Sequence, residues 1–371
     1  MKLLFSILFL VAIQTSTLYS RDTTAAVLNL DRLPSKGVLL DKSWKFYAAD
    51  DPDFADPEYD DRAWESIDPT IDLTKLTPAT RSGIAWLRIR ILTSDEMNKK
   101  SVAFTIIQSV ASEMFLNGKL IYRFGEINNN PDKIIGFNPN GKPFAMVFEK
   151  SKYQVIAVRF AVQPKIKYSD LGTIPLLKMR IYSVNDAFQL VRNNERYIPI
   201  NNTFRVGAFF ILAVLHLAFF IYNPKQKAYL FFFMYAIFAI PGDILQFNLP
   251  FEIKEQARLT MLYFSFWNIS GLFLLTALYI LLNQRLGWIY WGLVFAIFLG
   301  LFVGNWIYSN FFISNLVSIE LVRTALKAFK QKTKGSWIIV LGAMSFLIFM
   351  GAFIVGVQFE LGYWWWPLGD S

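Results

Sequence analysis

Few residues of this chain have side chains that can act in catalysis or hold a transition metal. The 371-residue sequence has no cysteine and a single histidine, His216, which lies inside an apolar run. A Ser-His-Asp triad or a metal site with several histidines is therefore excluded from the polar N-terminal half, which has no histidine. The absence of cysteine also excludes a disulfide framework and a thiol nucleophile. We therefore expect that the chain is not an enzyme.

The densest group of chemically useful side chains is an acidic loop over residues 50–61. Several carboxylates on one loop can form an oxygen cage for Ca²⁺, and Asp50, Asp51 and Asp53 are the candidate ligands. The spacing differs from that of the helix–loop–helix calcium site, so a solvated acidic loop is the alternative interpretation. A structural Ca²⁺ is the one cofactor that the sequence suggests.

Four ionisable residues lie within or at the ends of long apolar runs: Arg205, His216, Asp243 and Glu320. Such residues are costly inside a membrane and often mark functional sites. Arg205 and Asp243 are expected at similar depth and predict an ion pair, with snorkelling of Arg205 to the interface as the alternative. His216 is expected to lie deeper, as a hydrogen-bonded packing residue and not a proton sensor. Glu320 is expected to pair with Arg323, one helical turn away.

After residue 203 the chain is almost wholly apolar and aromatic, and short basic loops divide it into segments of membrane-spanning length. This pattern predicts an α-helical membrane domain over residues 204–371, joined to the N-terminal half by a linker at 184–203. Pro199 is expected to break any helix that runs through this linker. Six spans are predicted: Phe204–Tyr222, Ala228–Phe247, Leu259–Leu282, Leu286–Val303, Trp306–Val322 and Trp337–Phe359.

The N-terminal half has the composition of an exported domain. Residues 1–20 have a basic start, a short apolar stretch and a polar end, which are the features of a secretory signal peptide, cleaved or kept as an anchor. Residues 21–183 contain short runs of alternating apolar and polar residues, such as 85–91, separated by turn residues such as Asn117-Gly118. Many short strands without helical periodicity predict a β-sandwich.

Three motifs of this half resemble the galactose-binding-like jelly roll. They are Asp60-Asp61-Arg62-Ala63-Trp64, Gly83-Ile84-Ala85-Trp86-Leu87-Arg88 and Leu116-Asn117-Gly118. This jelly roll is the sugar-binding domain of glycoside hydrolase family 2 and also a sensory head of bacterial membrane receptors. The resemblance implies a carbohydrate ligand. It does not imply glycosidase activity, because the catalytic barrel that the jelly roll accompanies in the hydrolases is not found in this sequence.

The tryptophans of the N-terminal half allow two interpretations. Exposed aromatic rings can stack on sugar faces, but buried tryptophan is ordinary in β-sandwiches. We therefore expect Trp44, Trp64 and Trp86 to fill the core.

The apolar half resembles the bacterial seven-transmembrane receptors with diverse intracellular signalling modules. The segments that carry this resemblance are Arg205-Val206-Gly207, Tyr222–Lys227 and Leu321–Ala328. Such receptors join a periplasmic head to seven helices and a cytoplasmic output enzyme. The resemblance implies a sensory receptor of the bacterial inner membrane, and this chain would be a piece that stops before the seventh span and the output module.

The distribution of charge agrees with a head outside the cytoplasm. Lys and Arg cluster in alternate loops of the apolar half, as the positive-inside rule requires. The net charge of +9 therefore indicates membrane orientation, and we expect no nucleic-acid partner.

Two classes of function follow. In the first, the head of a receptor binds a periplasmic small molecule, such as a sugar, or a periplasmic protein. Binding shifts the population of helix arrangements in the bilayer, and a homodimer is one such arrangement. The alternative is a transporter or channel component with a carbohydrate-binding-like head. The scarcity of charges within the spans and the lack of an inverted repeat favour the receptor.

Overall fold

The structure is a computed structural model. It describes residues 27–75, 83–97, 100–166, 168, 175–248, 250–300, 306–331, 337–342 and 344–345. The predicted signal peptide at residues 1–20 lies outside the described residues.

The N-terminal half forms two facing β-sheets, which together we call the head (residues 27–183). Its strands are β1 Leu28–Leu30, β2 Val38–Leu39, β3 Trp44–Tyr47, β4 Glu65–Ile67, β5 Ile84–Thr93, β6 Ser101–Gln108, β7 Ala111–Leu116, β8 Lys119–Phe124, β9 Pro143–Val147, β10 Tyr153–Ala161 and β11 Leu177–Ser183. The first sheet has the order β4-β3-β5-β10-β7-β8, and β1 pairs in parallel with the end of β5. The second sheet has the order β2-β11-β6-β9 and is antiparallel.

Side-chain alternation along the strands builds the core between the sheets. On β5, Leu87 and Ile89 belong to the main core, together with Trp44 of β3. Residues on the other side of β5, such as Trp86, belong to a second and smaller cluster. This is the period-two pattern that the sequence of β5 predicts.

A segment of residues 50–64, which we call the cover segment, lies on the outer face of the first sheet. Its Phe54 and Trp64 pack with Trp86 of β5 in the smaller cluster. Trp86 is therefore only 1% exposed and Arg88 is 0% exposed, although both lie on the face of β5 opposite the main core. The cover segment makes β5 a strand that is buried on both faces.

A tight turn connects β7 to β8, which is the edge strand of the first sheet. Asn117 and Gly118 both have positive φ, at 49° and 82°, as a two-residue hairpin turn requires. The Asn117 side chain accepts a hydrogen bond from the backbone N–H of Val155 (2.8 Å) and donates one to Gln154 Oε1 (2.9 Å). The turn is thus held against β10, and it fixes where β8 begins.

The helices that follow the head are α1 Val184–Tyr222, α2 Lys227–Phe247, α3 Ile253–Leu281, α4 Trp288–Gly300 and α5 Trp306–Lys330. Helix α1 has 39 residues and runs without interruption through the predicted linker at 184–203. The expected break at Pro199 is therefore wrong. A proline removes one helical hydrogen bond and can kink a helix, but intact turns on both sides allow the helix to continue.

The prediction of six membrane spans is also wrong. Among the described residues, three helical stretches are long and apolar enough to cross a membrane: Asn202–Tyr222, Lys227–Leu245 and Ile253–Leu281. The described part of helix α4, at the predicted span Leu286–Val303, is 13 residues long and is not among these three stretches.

The two remaining predicted spans differ in their outcome. Helix α5, which contains the predicted span Trp306–Val322, has 25 residues but does not qualify as a span, because polar residues such as Asn315 and Glu320 interrupt its apolar sequence. The predicted span Trp337–Phe359 lies mostly outside the described residues.

The continuity of α1 predicts a specific spin-label distance. Arg192 and Phe210 are both exposed and are 18 residues apart, which is five turns of a helix, so labels at these positions point the same way about 27 Å apart. Because the native chain has no cysteine, the double variant Arg192→Cys/Phe210→Cys can be labelled selectively. Double electron–electron resonance on the reconstituted full chain should give one narrow distribution near this distance. A broad or much shorter distribution would mean that the helix breaks at Pro199.

Candidate functional site

The acidic loop that the sequence suggests as a calcium site is the first part of the cover segment. Asp50 accepts two hydrogen bonds from Arg159, one at each carboxylate oxygen and both 2.7 Å long. The Asp51 carboxylate accepts a hydrogen bond from the backbone N–H of Asp53 (3.0 Å), and Asp53 itself is exposed. Among the described residues, no three Asp, Glu or His side chains are grouped closely enough to hold a metal ion. The structure thus gives Asp50 and Asp51 protein partners, and the calcium site stays a prediction.

Two arginines of β5 also hold the cover segment. Arg88 Nε donates to Asp61 Oδ2 (3.0 Å), and Arg88 Nη1 donates to the carbonyl oxygen of Phe54. Arg90 Nη2 donates to the carbonyl oxygen of Tyr59 (2.7 Å). Burial lowers the pKa of Arg88, and the hydrogen bond to Asp61 opposes that change. These contacts connect two of the jelly-roll motifs, since Asp61 belongs to the first and Arg88 to the second.

The tryptophans that were candidates for sugar stacking are buried. Trp44 is 0% exposed and donates its indole N–H to the carbonyl oxygen of Leu40 (2.8 Å). Trp64 and Trp86 are 5% and 1% exposed, under the cover segment. None of the three offers an open ring face to a sugar. Trp44 lies in the core between the sheets as expected, whereas Trp64 and Trp86 are buried in the smaller cluster on the outer face.

A groove of about 430 Å³ lies between β8 and β9, the free edges of the two sheets. Lys119 and Glu149 form an ion pair at the groove (2.8 Å), and Tyr122 donates its hydroxyl to the carbonyl oxygen of Ala145 (2.7 Å). The groove is lined by Leu116, Lys119, Leu120, Ile121, Tyr122, Ala145, Met146, Val147 and Glu149. It thus combines apolar side chains with a hydroxyl and two opposite charges, a composition that suits a small ligand with both polar and apolar faces.

The head passes into the helices without a loop. Ser183 is the last residue of β11 and the N-cap of α1. Its Oγ accepts a hydrogen bond from the backbone N–H of Asp186 (3.1 Å) and donates to the Asp186 carboxylate (2.5 Å). Ala187 of α1 is buried against Ala103 and Tyr182 of the second sheet. The direction of α1 is therefore set by the second sheet of the head.

The loop between α2 and α3 makes a second contact with the head, on a segment that we call the seat (residues 136–142). The backbone N–H of Asn138 donates to the carbonyl oxygen of Phe251 (2.7 Å), and the N–H of Ile253 donates to that of Gly136 (3.0 Å). The Phe251 ring stacks on Phe137 with ring centroids 5.4 Å apart. A Cβ atom at Gly136 would lie about 3.0 Å from Cγ1 of Ile253, so the two segments approach each other closely there.

The seat is anchored to the second sheet. The buried Gln108 side chain, at the end of β6, donates to the carbonyl oxygens of Phe137 (2.8 Å) and Val110 (3.0 Å). The Asn138 carboxamide accepts from the backbone N–H of Gln108 (3.3 Å). Strand β9 begins at Pro143, directly after the seat. The groove, the seat and the start of α1 are therefore connected through neighbouring strands of one sheet.

Between the helices, the structure brings two of the candidate residues together. Arg205 Nη2 of α1 donates to Asp243 Oδ1 of α2, and Asp243 is fully buried. The guanidinium of Arg205 also lies 5.9 Å from the ring centroid of Trp267 of α3. This group joins α1, α2 and α3 close to the head.

The other two candidates lie further from the head. His216 stacks on Phe232 and Tyr229 of α2, with centroids 4.9 Å and 5.9 Å away, and does not meet Asp243. No hydrogen-bond partner for its buried Nδ1 is present among the described residues, and the expected hydrogen bond of this side chain stays a prediction. Glu320 accepts from Arg323 Nε (2.6 Å), and the hydroxyl of Tyr279 of α3 also donates to it.

Sequence reasoning missed Phe251, Tyr279 and the seat. Phe251 and Tyr279 are aromatic residues among many in this half, and nothing in their spacing distinguishes them. A weak signal existed for Phe251, because it lies with Pro250 and Glu252 in a loop, where an aromatic side chain needs a partner outside the membrane.

Comparison with known proteins gives similarities to solved glycoside hydrolase structures. A glycosyl hydrolase family 2 member from Bacteroides cellulosilyticus is 15% identical, with a TM-score of 0.29, over 40% of this chain and 21% of that chain. Bacteroides uniformis β-glucuronidase is 16% identical over 39% of this chain and 17% of that chain (TM-score 0.27). A β-glucosidase from Kluyveromyces marxianus is 10% identical over 42% and 18%, respectively (TM-score 0.25).

The chain thus matches only about a fifth of the length of these enzymes. No family model and no curated protein matches it.

The buried pair between Arg88 and Asp61 predicts a large effect of one substitution. Asp61→Ala leaves the guanidinium of Arg88, which is 0% exposed, without its carboxylate, and removal of one partner from a buried pair costs about 3–5 kcal/mol. We expect a large fall in the urea concentration at which half of the head is unfolded. Unfolding is monitored by the tryptophan fluorescence of the full chain in detergent. The matched control is Asp60→Ala, which removes the neighbouring but exposed pair with Arg62 and should hardly move the midpoint. Equal effects of the two variants would contradict this role of Arg88.

The pair between Asp50 and Arg159 predicts a dependence on pH. The hydrogen bonds from Arg159 lower the pKa of Asp50, so its ionised form stabilises the folded head. This stabilisation is fully present above the ordinary aspartate pKa of about 3.9 and is lost as the pH falls through the lower pKa of the folded state. Asp50→Asn should therefore lower the urea midpoint at about pH 6, and this effect should shrink as the pH falls below about 3.9. The exposed Asp53→Asn variant is the control, and a difference for Asp50→Asn that grows on acidification would contradict the assignment.

Proposed function

We propose that this chain is a membrane-bound sensory receptor, whose head binds a ligand outside the membrane and changes the arrangement of the helices. The bacterial inner membrane is the proposed location, with the head in the periplasm. Three apolar helices of spanning length support the membrane assignment, and the signal-peptide pattern and the distribution of Lys and Arg support the location. The resemblance of the sequence motifs to bacterial membrane receptors supports the same class.

The observation that carries this proposal is the direct passage of β11 into α1 at Ser183. A flexible linker would separate the motions of the head from those of the helices. Here, a change in the twist of the second sheet turns the first residues of α1, and the helix continues to Tyr222. A tethered domain that only concentrates a ligand near a transporter would not require such a rigid connection.

The seat gives the head a second contact with the helices. Because the head contacts the start of α1 and the start of α3, a change in its shape alters the position of one helix relative to the other. A ligand shifts such an equilibrium only if it binds one arrangement more tightly. The group of Arg205, Asp243 and Trp267, which joins the same helices, is then the first contact inside the membrane to respond.

We assign the ligand to the groove between β8 and β9, and propose a small hydroxylated molecule such as a sugar. Tyr122 and the pair of Lys119 and Glu149 supply hydrogen-bonding groups, and Leu120 and Val147 supply exposed apolar surface. The position also suits a sensor, because β9 follows the seat directly and pairs with β6, which pairs with β11. A ligand between β8 and β9 thus acts on the strand that leads to both contacts with the helices.

The seat predicts a change in helix separation even without a ligand. Spin labels at Arg192→Cys in α1 and Arg258→Cys in α3 report the distance between the two helices beside the head. Phe251→Ala removes the stack on Phe137 and the contact with Lys142, whose Nζ lies 4.5 Å from the ring centroid. We expect a broader distance distribution than in the parent, since aromatic and cation–π contacts of this kind contribute about 1–2 kcal/mol in total. The control Phe210→Ala, at a position 59% exposed on α1, should leave the distribution unchanged.

The same label pair tests the function. A panel of sugars is first screened for thermal stabilisation of the full chain, and each sugar that stabilises it is then added to the labelled protein. A receptor should respond with a shift in the distance between α1 and α3 that Glu149→Gln, in the groove, reduces. A sugar that stabilises the head without moving the helices would refute the sensory proposal. If no sugar stabilises the chain, the ligand class is wrong.

A further inference from the structure

The end of the helices opposite the head carries a group of exposed basic side chains. They are Lys225 and Lys227 at the turn from α1 to α2, Arg285 at the turn from α3 to α4, and Lys327 and Lys330 at the end of α5. We call these five residues the basic rim.

Contacts between the helices place the three segments at one end. Helices α2 and α3 run antiparallel, because Phe238 lies beside Phe266 and Phe231 beside Phe273. The start of α2 is therefore next to the end of α3. Gln284, just after α3, donates to Gln331, just after α5, across 2.9 Å. The rim is thus one surface.

No carboxylate within these segments neutralises the rim. Residues 222–228, 282–287 and 321–331 contain no Asp or Glu. The nearest acidic residue along the chain is Glu320, which is 3% exposed and is paired with Arg323. The positive charge of the rim therefore faces its surroundings.

Each basic segment also has an exposed aromatic side chain within three residues. Tyr222 is 91% exposed and precedes Lys225, and Trp288 is 84% exposed and follows Arg285. On α5, Phe329 is 52% exposed between Lys327 and Lys330. Aromatic rings next to Lys and Arg are typical of the boundary between hydrocarbon and headgroups. Basic side chains at this depth lie at the level of lipid phosphates.

We propose that the basic rim binds the headgroups of anionic phospholipids in the adjacent leaflet. The three segments supply cations from three directions, and the aromatic side chains hold them at the level of the phosphates. This inference does not depend on the proposed sensory function or on the ligand of the head. It assigns the rim a lipid partner in addition to its role in membrane orientation.

Native mass spectrometry of the full chain tests this proposal. The protein is released from neutral-detergent micelles that contain equal amounts of phosphatidylglycerol and phosphatidylcholine, and the lipids retained on it are counted. Each basic residue beside an anionic surface raises affinity about fivefold. We therefore expect phosphatidylglycerol to be retained in preference, and the preference to fall on the order of 25-fold in Lys327→Gln/Lys330→Gln.

Two controls separate charge from other effects. Lys327→Arg/Lys330→Arg keeps the charge and should keep the preference. Lys133→Gln/Lys150→Gln removes the same charge from exposed positions of the head and should not change it. Circular dichroism checks that each variant is folded.

Three results would overturn the proposal. One is equal retention of the two lipids by the parent chain. Another is an unchanged preference in both Lys327→Gln/Lys330→Gln and Lys225→Gln/Lys227→Gln. The third is full displacement of the lipid by an equal concentration of glycerol 3-phosphate, which would mean that the rim binds free phosphate and not lipid.

Discussion

The structure depends most on the change from strand to helix at Ser183. The residue ends β11 in the second sheet and caps α1, so the same backbone that pairs with β6 begins a helix of 39 residues. An N-cap contributes about 1 kcal/mol to helix stability, which is small beside the packing of the sheets. The larger consequence is geometric, because no residue between the two elements can absorb a rotation. The contact of the seat with Phe251 adds a second point of attachment between the head and the helices. Two points of attachment restrict rotation of the head relative to the helices, which a single point would allow.

The core of the head could be predicted from the sequence, but the face behind it could not. The alternation of β5 predicts Leu87 and Ile89 on one face and Trp86 and Arg88 on the other. Alternation alone suggests that the second face meets water, where Arg would be ordinary. The burial of Arg88 depends on the cover segment, which lies some 30 residues earlier in the chain. For the same reason the contact of Asp50 with Arg159 could not be predicted, since the two residues lie 109 positions apart in the chain.

In the apolar half, composition identified helices more reliably than it identified spans. The predicted positions of the first two spans lie within α1 and α2, and the third ends one residue beyond α3, but α1 extends 20 residues further towards the head than expected. Within the described residues, neither α4 nor α5 is both long and apolar enough to cross a bilayer. A tertiary contact explains the polar residue Glu320 of α5, because its carboxylate accepts a hydrogen bond from the hydroxyl of Tyr279 on α3. A hydropathy pattern contains no information about such a partner.

The polar groups between the helices lie at distinct levels, and in the proposed receptor these groups would connect a movement of the head to the far end of the helices. Arg205 and Asp243 join α1 to α2 near the head, and the stacked rings of His216 and Phe232 join the same helices further along. Glu320, with Tyr279 and Arg323, instead joins α3 to α5 near the opposite end. Arg205 also lies against Trp267 of α3, and α2 packs on α3 through Phe238 and Phe266, so a displacement of α1 reaches α2 and α3 together, and Tyr279 connects α3 to Glu320 of α5. The contact of Phe251 with the head, at the start of α3, gives the head a second and more direct connection to the same helix.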